Sequence, residues 1–281
     1  MQSMLAPSVH DSSAPQGDVD DVVATVVSHQ RVNAEYNLLV LAAQAPACNA
    51  VAGQFFNLEC PSDGDDQPFF RRPMSTYKAD PVRGEVEFLY KVTGAGTRGL
   101  ATLNAGDEMR ILGPLGHGFT LDPAWKNIVI LGRGVGLATL APLAELAAAN
   151  GVGVTAIISA RGPEQVMSVE RFSALGARIE TVLDSDGSSA PDNVEAVLRA
   201  LHGQGYADAL FTCGSNRLML LMQRLGAELN IPGQVAMEQH MACGLGMCFC
   251  CVRNFKVGDK VDSRRVCWDG PVFDLQEALS W

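Results

Sequence analysis

Asn127–Asn150 reads NIVILGRGVGLATLAPLAELAAAN. Asn127–Leu131 is a short apolar run of strand length, Gly132–Gly136 (GRGVG) a tight loop, and Leu137–Asn150 an alanine- and leucine-rich run of helix length. Strand, glycine turn and helix in immediate succession predict the opening of a βαβ unit. A second strand is expected at Val152–Ser159, and others at Ala177–Leu183 and Ala209–Cys213, with helices between them. One helix, Val194–Leu201, is expected to begin at Asp192, with Glu195 three residues on in the manner of a capping box. Such alternation predicts a parallel α/β sheet covered by helices on both faces.

Before Pro123 the rhythm differs. VVATVVS, YNLLVLAA, GQFFNLEC, VEFLYKV and DEMRILG are short β-type runs separated by Gly, Pro and Asp clusters, which predict a small antiparallel barrel or sandwich. After about Ile231 the α/β pattern ends in a Cys- and Gly-rich segment. The expected organisation is a disordered leader at 1–20, rich in Ser, Pro and Asp; a β-barrel at 21–122; an α/β domain at 123–235; and a small C-terminal segment at 236–281. Asp11, Asp18, Asp20 and Asp21 fall in the first 21 residues without a Lys or Arg, so this stretch is expected to be a solvated tail.

The 281 residues carry 21 Lys and Arg against 31 Asp and Glu, a formal charge of −10, too acidic for a protein that lives on nucleic-acid phosphates. No run approaches the ~18–20 apolar residues of a membrane span, and the start lacks a basic then apolar export signal. A soluble, cytoplasmic chain is expected. Five of the eight cysteines crowd into 243–267, which favours metal ligation over bridging.

Met241–Val252 reads MACGLGMCFCCV, so Cys243, Cys248 and Cys251 stand as C-x4-C-x2-C, and Cys267 follows after fifteen residues. That is the spacing of plant-type [2Fe–2S] ligands, with Gly244 and Gly246 allowing N–H groups to face the sulfurs. The competing readings are buried structural cysteines or a zinc site, although zinc modules usually repeat C-x2-C. Cys250 lies inside the C-x2-C step and is left out of the ligand set; Cys48 and Cys60 are expected to be packing residues.

A one-electron centre needs a donor and an acceptor. Arg71–Tyr77 (RRPMSTY) offers a guanidinium for a phosphate and a hydroxyl for a flavin edge, and Gly94–Leu100 (GAGTRGL) a glycine loop suited to a diphosphate. Each alone also reads as a turn. GRGVG, with Gly132, Gly134 and Gly136, resembles a dinucleotide loop but departs from G-x-G-x-x-G, because Leu137 takes the third glycine position. Cys213-Gly214 closes a strand where a nicotinamide ring would lie, or is simply a small pair at a strand end.

RRPMS, GAGT, GPLGHGF, VILGRGVG, CGS, MACGLGMC-x2-C and RVCWDGPVF together resemble, in order and spacing over roughly residues 22–275, the electron-transfer subunit of type B dihydroorotate dehydrogenases, a branch of the ferredoxin–NADP reductase superfamily. The resemblance implies a barrel that binds FAD, an α/β domain that binds NAD(H), a C-terminal [2Fe–2S] segment, and a role in pyrimidine biosynthesis beside a separate FMN-containing catalytic subunit. By position it implies that Arg72, Pro73, Met74, Ser75, Leu89, Tyr90, Lys91, Gly96 and Thr97 contact FAD, and that Cys243, Cys248, Cys251 and Cys267 hold the cluster. It places Cys213 at the catalytic edge of the nicotinamide site. Two departures are Arg133, where the family usually has Gly, and Ser215, where it has Pro.

The expected activity is hydride exchange between NAD(H) and FAD, then single-electron steps through the cluster to or from a redox partner in a hetero-oligomer. The alternatives are a reductase component of another system, such as a hydroxylase, and a non-catalytic iron–sulfur module. Ser159 and Arg161 are candidates to grip a 2′-phosphate, with a surface residue or an adenine-side contact as the competing readings of Arg161; the resemblance alone points to NAD. Segment 236–281 balances six acids against five bases, and with Met247, Phe249 and Trp268 it is expected to be a stable docking face; the competing reading is that these side chains only cover the cluster.

Overall fold

The computed structural model describes residues 17–280; the expectation for residues 1–16 lies outside them. The first part of the chain forms β1 (Asp20–Arg31), β2 (Tyr36–Ala42), β3 (Phe55–Leu58), β4 (Arg72–Ser75), β5 (Lys78–Asp80), β6 (Glu85–Lys91), the short helix α1 (Ala95–Leu100) and β7 (Glu108–Leu115). These strands make one antiparallel sheet in the order β4-β3-β7-β1-β2-β6-β5, curled as a half-barrel. Period-2 patterning explains the curl. Ala24 and Val26 of β1 point inward and are buried, whereas Val23 and Val27 on either side of them stay exposed. Leu39, Leu41, Phe56, Phe88 and Ile111 complete the barrel core.

Asp20 and Asp21 are not part of a solvated tail. Both lie in β1, paired with Gly113 and Leu112 of β7, and Asp21 accepts hydrogen bonds from Arg71 (3.0 Å) and Arg110 (3.0 Å). The glycine loop expected at Gly94–Leu100 is instead the start and body of α1. Thr97 Oγ1 accepts from the Thr93 and Gly94 N–H groups (2.8 and 3.0 Å) and so caps its own helix.

The α/β part runs β8 (Asn127–Arg133), α2 (Leu137–Ala149), β9 (Gly153–Ala160), α3 (Val169–Ala174), β10 (Arg178–Leu183), α4 (Pro191–Gly203), β11 (Ala209–Cys213), α5 (Asn216–Leu229) and β12 (Gly233–Ala236). Strand order is β10-β9-β8-β11-β12, all parallel. Every residue of β11 and the central five of β8 are buried, as a sheet covered on both faces requires. Helix α4 begins one residue before Asp192. Pro191 takes the first helical position, where its missing N–H costs nothing, and Asp192 lies inside the first turn rather than at the cap.

The last part forms β13 (Val252–Val257), β14 (Lys260–Arg265), α6 (Val266–Asp269) and β15 (Val272–Asp274). Strands β13 and β14 are a separate hairpin, but β15 returns to the α/β sheet and pairs antiparallel with β12. The cysteine segment is therefore strung between two adjacent strands of that sheet. Chain direction across the parallel sheet reverses between β8 and β11, and ligands of such sheets settle at the carboxyl ends flanking that reversal.

Candidate functional site

A cleft of about 360 Å³ opens between the barrel, the α/β sheet and the cysteine segment. Arg72, Pro73, Met74 and Ser75 of β4, Leu89, Tyr90 and Lys91 of β6, and Thr97 of α1 all border it. Register explains the convergence, since β4 pairs with β3 through Ser75–Phe55 and Arg72–Leu58, leaving its free edge toward the cleft. Gly96 lies under the Arg72 guanidinium: a Cβ there would fall 2.8 Å from Arg72 Nε. A larger residue at Gly96 would displace the cation. Arg72 is aligned by donating to the Phe70 carbonyl.

Tyr90 is fully buried, and its hydroxyl points into the barrel rather than out to the cleft. His29 Nδ1 donates to the Leu103 carbonyl (2.8 Å), so in the neutral ring Nε2 accepts from Tyr90 (2.9 Å). Burial pushes the Tyr90 phenol up to about 12.

The opposite wall comes from other parts of the chain. Val135 belongs to the GRGVG turn, and Met237, Glu238, Gln239 and Met241 lead into the cysteines. Glu238 is an exposed residue of the cleft wall, and desolvation by the atoms around its carboxyl holds it above its ordinary value. It faces Cys213, whose thiol is 3.9 Å from Glu238 Oε1. Cys213 is buried at the end of β11, and burial raises its thiol well above the ordinary range. Its neighbour Gly214, not Cys213 itself, borders the adjoining cleft.

That second cleft, about 250 Å³, is lined by Tyr36 and Lys91 from the barrel and by Arg133, Gly134 and Arg161 from the α/β sheet. Lys91 and Val135 border both clefts, so the two spaces meet. Of the three candidate glycines only Gly134, at φ +54°, lines it. A Cβ on Gly132 would strike Leu137 at 2.5 Å, and one on Gly136 the Cys213 carbonyl at 2.4 Å, so these two glycines let helix and strands approach. Ser159 is not available to a phosphate: it is buried and accepts from Arg133 (2.8 Å). Arg133 also pairs with Asp184 at 2.5 Å.

In the cysteine segment the thiols stand as two pairs. Cys243 neighbours Cys248, and Cys251 Sγ lies 3.2 Å from Cys267 Sγ. Backbone N–H groups converge on them: Leu245 donates to Cys243 (3.3 Å), Gly246 to Cys267 (3.3 Å) and Cys267 to Cys251 (3.4 Å). Positive φ at Gly244 (72°), Gly246 (75°) and Phe249 (57°) turns the loop around the sulfurs. Burial opposes ionisation of Cys243, but the donated N–H groups prevail and bring it down to about 7; the Cys267 thiol brings Cys251 to about 6 and is itself raised. Cys250 is exposed, with its sulfur 3.9 Å from the His240 carbonyl.

Two thiol pairs supplied with N–H donors suit a two-iron centre, which takes two thiolates at each iron. Sequence reasoning missed Asn57 of β3, buried under this loop. Its Nδ2 donates to the Cys243 carbonyl (3.2 Å), and a Cβ on Gly244 would strike it at 2.3 Å.

Comparison with known proteins agrees with this layout. Residues 23–119 match the model of the oxidoreductase FAD-binding domain, and residues 238–279 that of the iron–sulfur cluster binding domain of dihydroorotate dehydrogenase B. The dihydroorotate dehydrogenase B (NAD(+)) electron transfer subunit of Geobacillus thermodenitrificans is 32% identical over 259 residues, spanning 91% of this chain and 97% of that one. The chain belongs to the family of dihydroorotate dehydrogenase B electron transfer subunits. A probable electron transfer subunit from Methanothermobacter thermautotrophicus is 35% identical over 73% of this chain and 74% of its own. In fold, the chain resembles a structure of an NADH-dependent reduced ferredoxin–NADP oxidoreductase (TM-score 0.77, 24% identity, 91% of this chain and 89% of that one). It also resembles the ferredoxin reductase of carbazole 1,9a-dioxygenase (TM-score 0.64, 20% identity, 78% and 69%). Membership makes it an oxidoreductase of electron transfer built around FAD and an iron–sulfur cluster, and the fold is consistent with NAD binding.

Proposed function

We propose that the chain passes electrons between NAD(H) in the 250 Å³ cleft, FAD in the 360 Å³ cleft and a [2Fe–2S] cluster on Cys243, Cys248, Cys251 and Cys267, to or from a catalytic subunit of the dihydroorotate dehydrogenase type. The observation that carries it is the sharing of walls: the central cleft borders the nucleotide turn on one side and the approach to the cysteines on the other. Bound flavin supplies the conversion between a two-electron hydride carrier and a one-electron centre.

The chain's own residues orient and shield. Arg72 places a cation where the flavin diphosphate has its charge, with Gly96 keeping the space beneath it and Thr97 closing α1. Pro73, Met74, Ser75 and the β6 run Leu89–Lys91 wall the ring. Cys213 lies buried behind the cleft wall at the end of β11, with its thiol toward Glu238, which borders the flavin cleft. Gly134 gives a dinucleotide backbone room to approach, while Gly132 and Gly136 fix the turn that presents it.

The same reading divides the chain into a flavin unit at 21–122, a nucleotide unit at 123–235 and a cluster segment at 236–281, supported by the separate half-barrel, parallel sheet and hairpin. The docking face is the cluster surface, where Met247 and Phe249 are 77% and 62% exposed beside Trp268 and near-neutral charge favours a lasting complex over a salt-steered encounter. We place the chain in the cytoplasm, where thiols stay unbridged; no described helix is long and apolar enough to cross a membrane.

The test is co-expression with the neighbouring flavoenzyme subunit. A complex that survives gel filtration at high salt and reduces NAD+ with dihydroorotate is expected. A lone chain that reduces many unrelated acceptors equally would overturn the partner assignment.

A further inference from the structure

The nucleotide cleft presents three cations, Lys91, Arg133 and Arg161. Two carboxylates already engage them. Arg133 is held at the strand ends by Ser159 and Asp184. Lys91 Nζ lies 2.7 Å from Glu35 Oε2, and Arg161 donates to Glu35 Oε1. Glu35 stands just before β2 on the barrel and Arg161 just after β9, so one carboxylate reaches across the cleft mouth from one sheet to the other. Tyr36, beside it, brings its hydroxyl against Gly134, where a Cβ would lie 2.8 Å away.

In dinucleotide-binding sheets the end of the second strand meets the adenosine ribose. An acid there accepts from the 2′-hydroxyl of NAD, whereas an arginine there takes the 2′-phosphate of NADP. Here the second strand, β9, ends at Ser159-Ala160, and Arg161 follows it. Ser159 is occupied by Arg133; Glu35 lies outside the cleft lining but engages two of its cations, Lys91 and Arg161. Taken alone, the strand end carries the arginine of a 2′-phosphate site. Glu35 covers that arginine. Hydrogen bonding from Lys91 first, and from Arg161 after it, holds the Glu35 carboxyl below its ordinary value, so it is ionised at any working pH.

We propose that Glu35 selects NAD(H) over NADP(H), supplying from the barrel the acid that the tip of β9 lacks, because a 2′-phosphate has to displace Glu35 from Arg161 and sit against its charge. The inference rests on the reading of this cleft as the nicotinamide-nucleotide site.

Two measurements test it on the FAD- and cluster-loaded chain. Calorimetric titration of the wild type with ADP-ribose and with 2′-phospho-ADP-ribose should favour the former, and Glu35→Gln should shrink that preference by about tenfold or more, the worth of one charge-assisted contact. The ratio of kcat/KM for anaerobic flavin reduction by NADH and NADPH should shift alike, mainly by gain with NADPH. The double variant Glu35→Gln/Arg161→Ala should lose the gain, because it acts through Arg161. If Glu35→Gln changes both nucleotides by the same factor, or the double variant keeps the gain, Glu35 only ties barrel to sheet and the proposal is overturned. FAD content and thermal midpoint identify a misfolded variant, in which case Glu35→Ser is read by the same criteria. A wild type whose flavin NADH does not reduce, and which binds neither ADP-ribose, overturns the nucleotide-site reading instead.

Discussion

The flavin cleft and the cysteine loop lie side by side but are built on different principles. The cleft takes most of its wall from strands whose register is fixed by ladder hydrogen bonds and by the barrel core beneath them. The loop contains no strand between Met241 and Cys251; turns at positive φ shape it, and the exposed Cys248 has little around it. A wall set by register keeps its shape without its ligand, whereas a loop of thiols ordered by metal bonds depends on the metal.

Breaking the loop should therefore spare the cleft. Cys248→Ser is expected to lower iron and acid-labile sulfide from about two each per chain to near zero, while Cys250→Ser leaves them unchanged and both variants keep full FAD. Iron and flavin assays on anaerobically purified protein check this; loss of flavin along with iron would show that the two sites form one cooperative unit. Stripping iron with a chelator should likewise leave the flavin spectrum in place.

The converse experiment acts on the cleft. Arg72→Ala should weaken FAD by about 1.5–3 kcal/mol, the range for a hydrogen bond to a charged group, with iron content unchanged. Fluorescence titration of the flavin-free protein reads it. Unchanged affinity would mean that Arg72 serves only to align the Phe70 carbonyl.

A smaller effect is expected where the regions touch. Asn57→Leu removes the hydrogen bond to the Cys243 carbonyl, worth about 1 kcal/mol, so iron should leave to a chelator several-fold faster at constant FAD content. An unchanged release rate would show that barrel and loop are independent even at this contact.

Smallest of all is the surface. Burial acts to raise the Asp21 carboxyl, but Arg71 and Arg110 outweigh it and hold the group below its ordinary value. A depressed carboxylate pKa contributes stability above the unfolded value and loses it as pH falls through the folded one. Asp21→Asn should cost under about 1 kcal/mol at pH 7, given solvent screening, and progressively less in urea denaturation as pH falls below the ordinary carboxylate range.

What the sequence made legible follows the same division. The β4 run and the four thiols stand in contiguous or regularly spaced motifs, whereas Leu89, Tyr90 and Lys91 were expected only from the family resemblance; the structure brings β4 and β6 to one cleft. Glu35, Asn57 and Glu238 were not named. Each acts on residues far away in the chain, and a lone Glu before a strand or a lone Asn within one has no local signature. The same limit explains GAGT: the motif was visible, but not that Thr97 would turn its hydroxyl onto its own helix start. Asp20 and Asp21 looked like a tail by composition, and only pairing with β7 and the arrival of Arg71 and Arg110 made them a strand. Strand β15 is subject to the same limit: three residues long, it is placed in the sheet only by the distant neighbour it joins.

That three-residue strand has a mechanical consequence. Because β12 and β15 are hydrogen-bonded neighbours, everything from Met237 to Pro271 is a closed excursion with both feet planted on the same sheet edge. Closing such a loop costs chain entropy that the ladder offsets, and lengthening the loop adds little to that cost. The iron-bearing part is thereby an exchangeable cassette. Its tip can vary in length and surface to suit a docking subunit while its roots, and their distance from the flavin cleft, stay where the sheet holds them.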